Sequence, residues 1–253
     1  AGQACVHVGD AKITFGTGGM LDVVLGGRPA FERRSPAGTF PIVAWRRDKE
    51  VTWGVEAVML SAGTNVEWLR DDLGLIESAE ASDEIAASCT DADGVVFVPA
   101  LLGLGTPAWD YGARGTLLGI TRGTERSHIV RAVLEGVANR GADLIEAAEL
   151  DSGMQLPAIR IDGGMAANQT FVQALADASQ RSIEVSPELE ATTRGAGFLA
   201  GLALGTWASD DDVMATWRPS RTVPPTGSFD RARWRDACQR AAGWIPELSS
   251  IDF

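Results

Sequence analysis

The 253-residue sequence is poor in the groups on which many catalytic chemistries depend. Its two histidines, His7 and His128, lie far apart with no partner at metal or triad spacing, and neither is expected to be catalytic. No GxSxG stands with a histidine for acyl transfer, and no HExxH or CxxC pair offers zinc ligands. GxxxxGK followed by Ser or Thr is also missing, which excludes a P-loop nucleotide site. Basic charge is scarce: 22 Lys+Arg face 34 Asp+Glu, a formal net charge of −12. Such a balance argues against nucleic acid or an anionic membrane as partner, since phosphate backbones are bound by basic surfaces. ATP is not excluded, because main-chain amides and Mg2+ can hold a nucleotide with few basic side chains. The three cysteines, Cys5, Cys89 and Cys238, are widely spaced and read as reduced thiols of a cytosolic protein. No apolar run approaches the length of a membrane span and the opening residues show no signal-peptide pattern, so a cytoplasmic location is expected.

What is present centres on Ile159 to Asn168, Ile-Arg-Ile-Asp-Gly-Gly-Met-Ala-Ala-Asn. An apolar β-branched run ends in an acid, Gly163-Gly164 turns the backbone, and Met165 to Ser179 has helical spacing. Glycines there let the main chain approach an anion, and the helix start offers unpaired N–H groups and a positive dipole end. A tight strand-to-helix connection explains the same residues, so other stretches must decide.

Ala4 to Val8, Lys12 to Phe15 and Met20 to Leu25 read as an antiparallel meander, with Gly16-Thr17-Gly18-Gly19 at its second turn. That turn is either a plain hairpin or a cradle for a terminal phosphate. Residues 28–56 read as an exposed, turn-rich hairpin around Arg46-Arg47-Asp48-Lys49, decorating the core. A helix is expected from Ala57 through Leu73, with Gly63 inside it at a cost of about 1 kcal/mol relative to alanine. Close approach by a backbone or a ligand is a reason to keep that glycine. Ser78 to Cys89 reads as an acidic helix with a solvated charged face. Gly94 to Ala100 reads as a buried strand, Leu101 to Gly123 as a long functional loop, and His128 to Ala148 as the strongest helix. A strand at Ser182 to Val185, a small-residue helix from Glu190 to Gly205, a short helix capped by Asp210 to Asp212, a linker over Pro219 to Gly227 and a helix at 229–244 complete the chain.

Five ordered stretches carry a family resemblance: Ala11 to Gly18, Ser61-Ala62-Gly63 through Asp71, Phe97 to Asp110, Gly115 to Glu135, and Asp162-Gly163-Gly164 through Asn168. On them the chain resembles the C-terminal domain of the FGGY family of carbohydrate kinases, and within it the glycerol kinases. The resemblance implies an α/β fold with a ribonuclease H-like core, of the actin and hexokinase-like ATPase type. Residues 1–253 would then be a single nucleotide-binding domain. The N-terminal substrate domain would be absent from this chain, in keeping with a start at Ala1-Gly2-Gln3 that has no initiator methionine.

The implied reaction transfers the γ-phosphoryl of ATP, with Mg2+, to a primary hydroxyl of glycerol or a similar polyol, in a homo-oligomeric full-length enzyme. Carried over residue by residue, Gly16, Thr17 and Gly18 would lie beside the γ-phosphate, and Gly63 and Glu67 near the nucleoside. Gly163, Gly164 and Asn168 would contact the nucleotide at the turn described above. No metal ligand from this chain is implied. Three departures stand out. Glu67 replaces the usual glutamine, Met20 replaces an aromatic that lines the polyol pocket, and the general-base aspartate of a Gly-Asp-Gln motif is expected ahead of Ala1. Met20 leaves room for another polyol or sugar, such as erythritol or xylulose, and Glu67 for a non-catalytic interaction module that keeps the fold.

Overall fold

The computed structural model describes residues 1–47, 49–188 and 191–251. The chain enters its main sheet at β1 (Ala11–Phe15), returns along β2 (Gly19–Gly26), and continues through the hairpin of β3 (Phe40–Arg47) and β4 (Glu50–Met59). A short α1 (Gly63–Glu67) runs into a π-helical turn over Trp68–Asp72, followed by α2 (Ala81–Ala87). β5 (Val96–Val98) and β6 (Thr116–Leu118) form a separate two-stranded ribbon. The long α3 (Arg126–Ser152) leads to β7 (Ala158–Asp162), a 3-10 turn over Gly164–Ala167, α4 (Gln169–Ser179) and β8 (Ser182–Val185). α5 (Ala191–Ala203), α6 (Asp210–Ala215), β9 (Arg221–Val223), α7 (Arg231–Ala241) and α8 (Pro246–Ser249) follow.

The main sheet has the order β3-β4-β2-β1-β7-β8-β9. β1 pairs antiparallel with β2 but parallel with β7, which is parallel to β8. β1 therefore joins an antiparallel meander to a parallel unit wound through α3 and α4. The register sets Thr14 beside Asp162 and Phe15 opposite Gly19. Both glycine turns consequently leave the sheet at the same end, the carboxyl ends of β1 and β7, where open α/β sheets bind ligands.

One face of the sheet carries the core. Ile13, Phe15, Leu21, Val55, Ala57, Met59, Ile159 and Ile161 pack with Val133, Leu134, Val137 and Leu144 of α3 and with Phe171 and Leu175 of α4. Phe15 meets Phe171 edge-on, with ring centroids 4.9 Å apart at 80°. The other face bears the Lys12–Asp22 ion pair at 2.7 Å, Arg160, whose guanidinium lies 4.3 Å from the Trp217 ring centroid, and a small buried apolar cluster of Val6, Val24 and Trp45. A smaller cluster of Val98, Ala100, Leu104, Trp234 and Ala237 seats α7 against the β5–β6 ribbon.

Several elements differ from the sequence reading. Ala4 to Val8 is not a strand: the Asp10 carboxylate accepts the amides of Val6 and His7, each at 2.9 Å, and curls that segment into a turn. The hairpin expected to decorate the core supplies part of it, because β4 is hydrogen-bonded to β2 on one side and β3 on the other. Buried Val55, Ala57 and Met59 alternate along β4, a period of two that replaces the helix expected from Ala57. Helix begins only at Gly63. Asp48 at the hairpin tip, and Glu190 at the expected start of the small-residue helix, lie outside the described residues. The linker expected over Pro219 to Gly227 contains the edge strand β9. No helix among the described residues is long and apolar enough to cross a membrane.

Candidate functional site

A cleft of about 480 Å³ opens where the two glycine turns leave the sheet. Gly16 and Thr17 form one wall, Gly63, Val66, Glu67 and Arg70 another, Gly164, Met165 and Asn168 a third, and Ala79 to Asp83 close the remaining side. Six of the residues expected at a nucleotide thus share one cavity: Gly16, Thr17, Gly63, Glu67, Gly164 and Asn168.

The glycines at this site have two different jobs. A Cβ on Gly16 or Gly164 would meet no atom within 4 Å, so both border open space into which a ligand can approach the main chain. Gly63 is different: its Cβ would lie 2.7 Å from the Gly16 carbonyl oxygen. The reason for this glycine is backbone proximity, one of the two alternatives raised by the sequence. Its amide donates to the Gly16 carbonyl at 2.8 Å and the Ala62 amide to that of Thr17 at 2.8 Å. The Thr64 hydroxyl adds a 2.8 Å bond to the Thr17 carbonyl. The start of α1 therefore grips the carbonyl side of the Gly16–Gly18 turn.

Gly18 and Gly163 do not line the cleft. A Cβ on Gly18 would come 2.6 Å from the Met59 carbonyl oxygen. Gly163, at φ +88°, would place one 2.3 Å from that of Phe15. Both let chain segments cross behind the site. Met20 lies outside the cavity too, on β2 between Thr14 and Val58, with 40% of its surface exposed. Asp162, ahead of the second turn, is 2% exposed, and its Oδ1 has no hydrogen-bond partner among the described residues. Burial pushes its carboxyl above the usual aspartate range against the pull of Thr14 and Lys12.

The helix after the second turn departs from expectation. Asn168 is the N-cap of α4, its Oδ1 accepting the Phe171 amide at 2.8 Å, while its Nδ2 donates to Ser82 Oγ at 3.0 Å. The next amides are not free for a phosphate. Those of Gln169 and Thr170 donate to the Asp83 carboxylate at 3.1 and 2.9 Å, and the Thr170 hydroxyl adds a bond of 2.7 Å. Burial alone would raise the Asp83 carboxyl, but these bonds outweigh it and hold it below the usual range. The positive end of α4 is thus met by a protein carboxylate.

Asp83, Ser82, Glu80 and Arg70 also line the cleft and were not among the residues expected there from the sequence. Asp83 sat in a helix whose acids were expected to face solvent, and its partners are 86 and 87 residues away in the chain. Arg70 pairs with Asp71 through bonds of 2.7 and 2.8 Å, so its charge is already matched at the rim. With Glu67, Glu80 and Asp83 around it, the α2 end of the cleft is acidic. The end bordered by the Gly16–Gly18 turn has main chain and the Thr17 hydroxyl instead. The arrangement suits an elongated ligand with its anionic end at that turn and a neutral, hydrogen-bonding end near Glu67 and Asn168.

Comparison with known proteins identifies the family. Residues 11–204 match the C-terminal domain of the FGGY family of carbohydrate kinases. The chain is 42% identical over 249 residues to the glycerol kinase of Aromatoleum aromaticum, covering 96% of this chain and 50% of that protein. The structure of Plasmodium falciparum glycerol kinase with ADP superposes with a TM-score of 0.83 at 33% identity, over 100% of this chain and 49% of that one. Xylulose kinase from Rhodospirillum rubrum gives 0.76 at 25% identity, over 98% and 49%. The chain spans about half the length of the relatives it matches. These neighbours have the actin and hexokinase-like ATPase fold, so the expected fold class holds. The chain belongs to the FGGY family of carbohydrate kinases, to which it contributes a C-terminal domain.

Proposed function

We propose that this chain is the nucleotide-binding half of a glycerol kinase. The full-length protein, a homo-oligomer in the cytoplasm, transfers the γ-phosphoryl of ATP to a primary hydroxyl of glycerol, giving sn-glycerol 3-phosphate and ADP. The observation that carries the reading is the single cleft shared by Gly16, Thr17, Gly63, Glu67, Gly164 and Asn168.

Phosphoryl transfer depends mainly on positioning and charge stabilisation, with little covalent work for the protein. In this reading Gly16 and Thr17 receive the terminal phosphate through main chain and hydroxyl, held in place by the start of α1. Gly164 and Asn168 border the nucleoside, and Glu67 accepts a hydrogen bond from a ribose hydroxyl or a base amino group. Among the described residues no three His, Cys, Asp or Glu side chains converge to hold a metal ion. In this reading Mg2+ accompanies the phosphates and offsets their charge. The general base is an aspartate in the segment expected ahead of Ala1, so the isolated chain binds MgATP weakly and phosphorylates nothing.

The test pairs titration calorimetry of this chain with MgATP and turnover assays of the full-length protein on glycerol, erythritol, xylulose and gluconate. Binding by the chain and a clear preference for glycerol by the full-length protein support the reading. Robust glycerol phosphorylation by this chain alone refutes the division of labour. A second reading, a kinase for another polyol or sugar, draws on Met20 and on the likeness to a xylulose kinase. Higher kcat/KM on one of the other substrates would favour it.

A further inference from the structure

Where the wall formed by Ala79 to Asp83 meets the Gly164 to Asn168 wall, the two are joined through Ser82 and Asp83, which the nucleotide reading does not use. Ser82, 1% exposed, donates to the Ala79 carbonyl at 2.5 Å and accepts Asn168 Nδ2 at 3.0 Å. One residue on, Asp83 takes three donors from Gln169 and Thr170 with its two oxygens. Two consecutive residues of α2 thus pin three consecutive residues at the start of α4. Asn168 shares its own side chain between Ser82 and the Phe171 amide, so its orientation depends on both neighbours.

We propose that Asp83 is a positioning residue for the nucleotide: by clamping the first turn of α4 to α2 it fixes Asn168 and Gly164 at the cleft. The inference rests on the nucleotide reading of this cavity. A charge-matched clamp is stiff here because both carboxylate oxygens are engaged, and charge-assisted bonds are about twice as strong as neutral ones. The carboxylate also offsets the positive end of α4, leaving the Gly16–Gly18 turn as the phosphate end of the cleft. Asparagine at this position keeps the shape but turns an NH2 group toward one of the amides that Asp83 now accepts, so at least one donor faces a donor.

The experiment uses the full-length protein and steady-state kinetics with nucleotide and glycerol varied separately. Asp83→Asn is expected to raise the nucleotide KM about tenfold, the scale of one lost charge-assisted hydrogen bond, with kcat and the glycerol KM within about twofold of wild type. Asp83→Glu, which keeps the charge, is expected to recover most of the loss. Thr170→Val removes only the hydroxyl donor and should raise the nucleotide KM about threefold; it carries the test should Asp83→Asn not fold. An unchanged nucleotide KM in the variants, or a parallel loss of kcat and both KM values, overturns the positioning role. Failure of the wild-type protein to bind MgATP by calorimetry overturns instead the reading on which it rests.

Discussion

Gly63→Ala probes the joint between α1 and the phosphate-end turn. The added Cβ would lie 2.7 Å from the Gly16 carbonyl oxygen, an atom that cannot rotate out of the way. An ordinary C···O approach is about 3.3 Å, so the turn or the start of α1 must retreat by about 0.6 Å. That displacement stretches the 2.8 Å bonds from Gly63 and Ala62 to the turn carbonyls. Overpacking of this kind costs about 1–3 kcal/mol, and each weakened bond adds up to about 1 kcal/mol. Alanine's better helix propensity returns less than about 1 kcal/mol, because Gly63 is only the first residue of α1. A net loss of about 2 kcal/mol corresponds to a Tm lower by about 4–8 °C for a domain of this size. The turn also carries the proposed phosphate contacts, and misplacement approaching 1 Å can cost about 100-fold in rate. Differential scanning fluorimetry with and without MgATP, together with turnover of the full-length protein, reads both effects. Gly164→Ala is the control: its Cβ meets nothing within 4 Å, so Tm should stay near wild type while nucleotide affinity falls. A Gly63→Ala protein with wild-type Tm and nucleotide affinity would refute the argument.

Three further outcomes are expected. Phe171→Ala removes a fully buried ring packed on Phe15 and should cost about 3–5 kcal/mol in urea denaturation, with an unchanged m-value. Asp110 accepts the amides of Gly112, Ala113 and Gly243 and the Ser249 hydroxyl; burial would raise its carboxyl, but these bonds hold it below the usual 3.8. Its folded pKa being depressed, the stability it contributes is full above the ordinary aspartate range and is lost as pH falls through the folded value. Asp110→Asn should therefore flatten the acid limb of urea midpoints measured from neutral pH to pH 3. Burial raises the thiols of Cys5 to about 11 and Cys238 to about 12, so both should resist iodoacetamide at pH 8 in the native protein and react once it is unfolded.

Local sequence determined those features whose physics is local. Alternation and β-branching marked β1, β2, β7 and β8, apolar spacing marked α3 and α4, and the two glycine turns were visible because little else than glycine lets a backbone pass so closely. Ordered motifs then joined the turns to a family, and six residues expected at a nucleotide do share one cleft. The tertiary structure decided the rest. Val55, Ala57 and Met59 became strand because neighbours on both sides take their hydrogen bonds, a pairing that no short window of sequence contains. Gly63 owes its identity to the carbonyl of Gly16, and Asp83, which composition alone would leave to solvent, to amides at Gln169 and Thr170. The sequence marked where an anion could be held. Only the fold, by setting the Asp83 carboxylate at the start of α4 and leaving Gly16 beside open space, gives the reason for proposing the Gly16–Gly18 turn as the phosphate end.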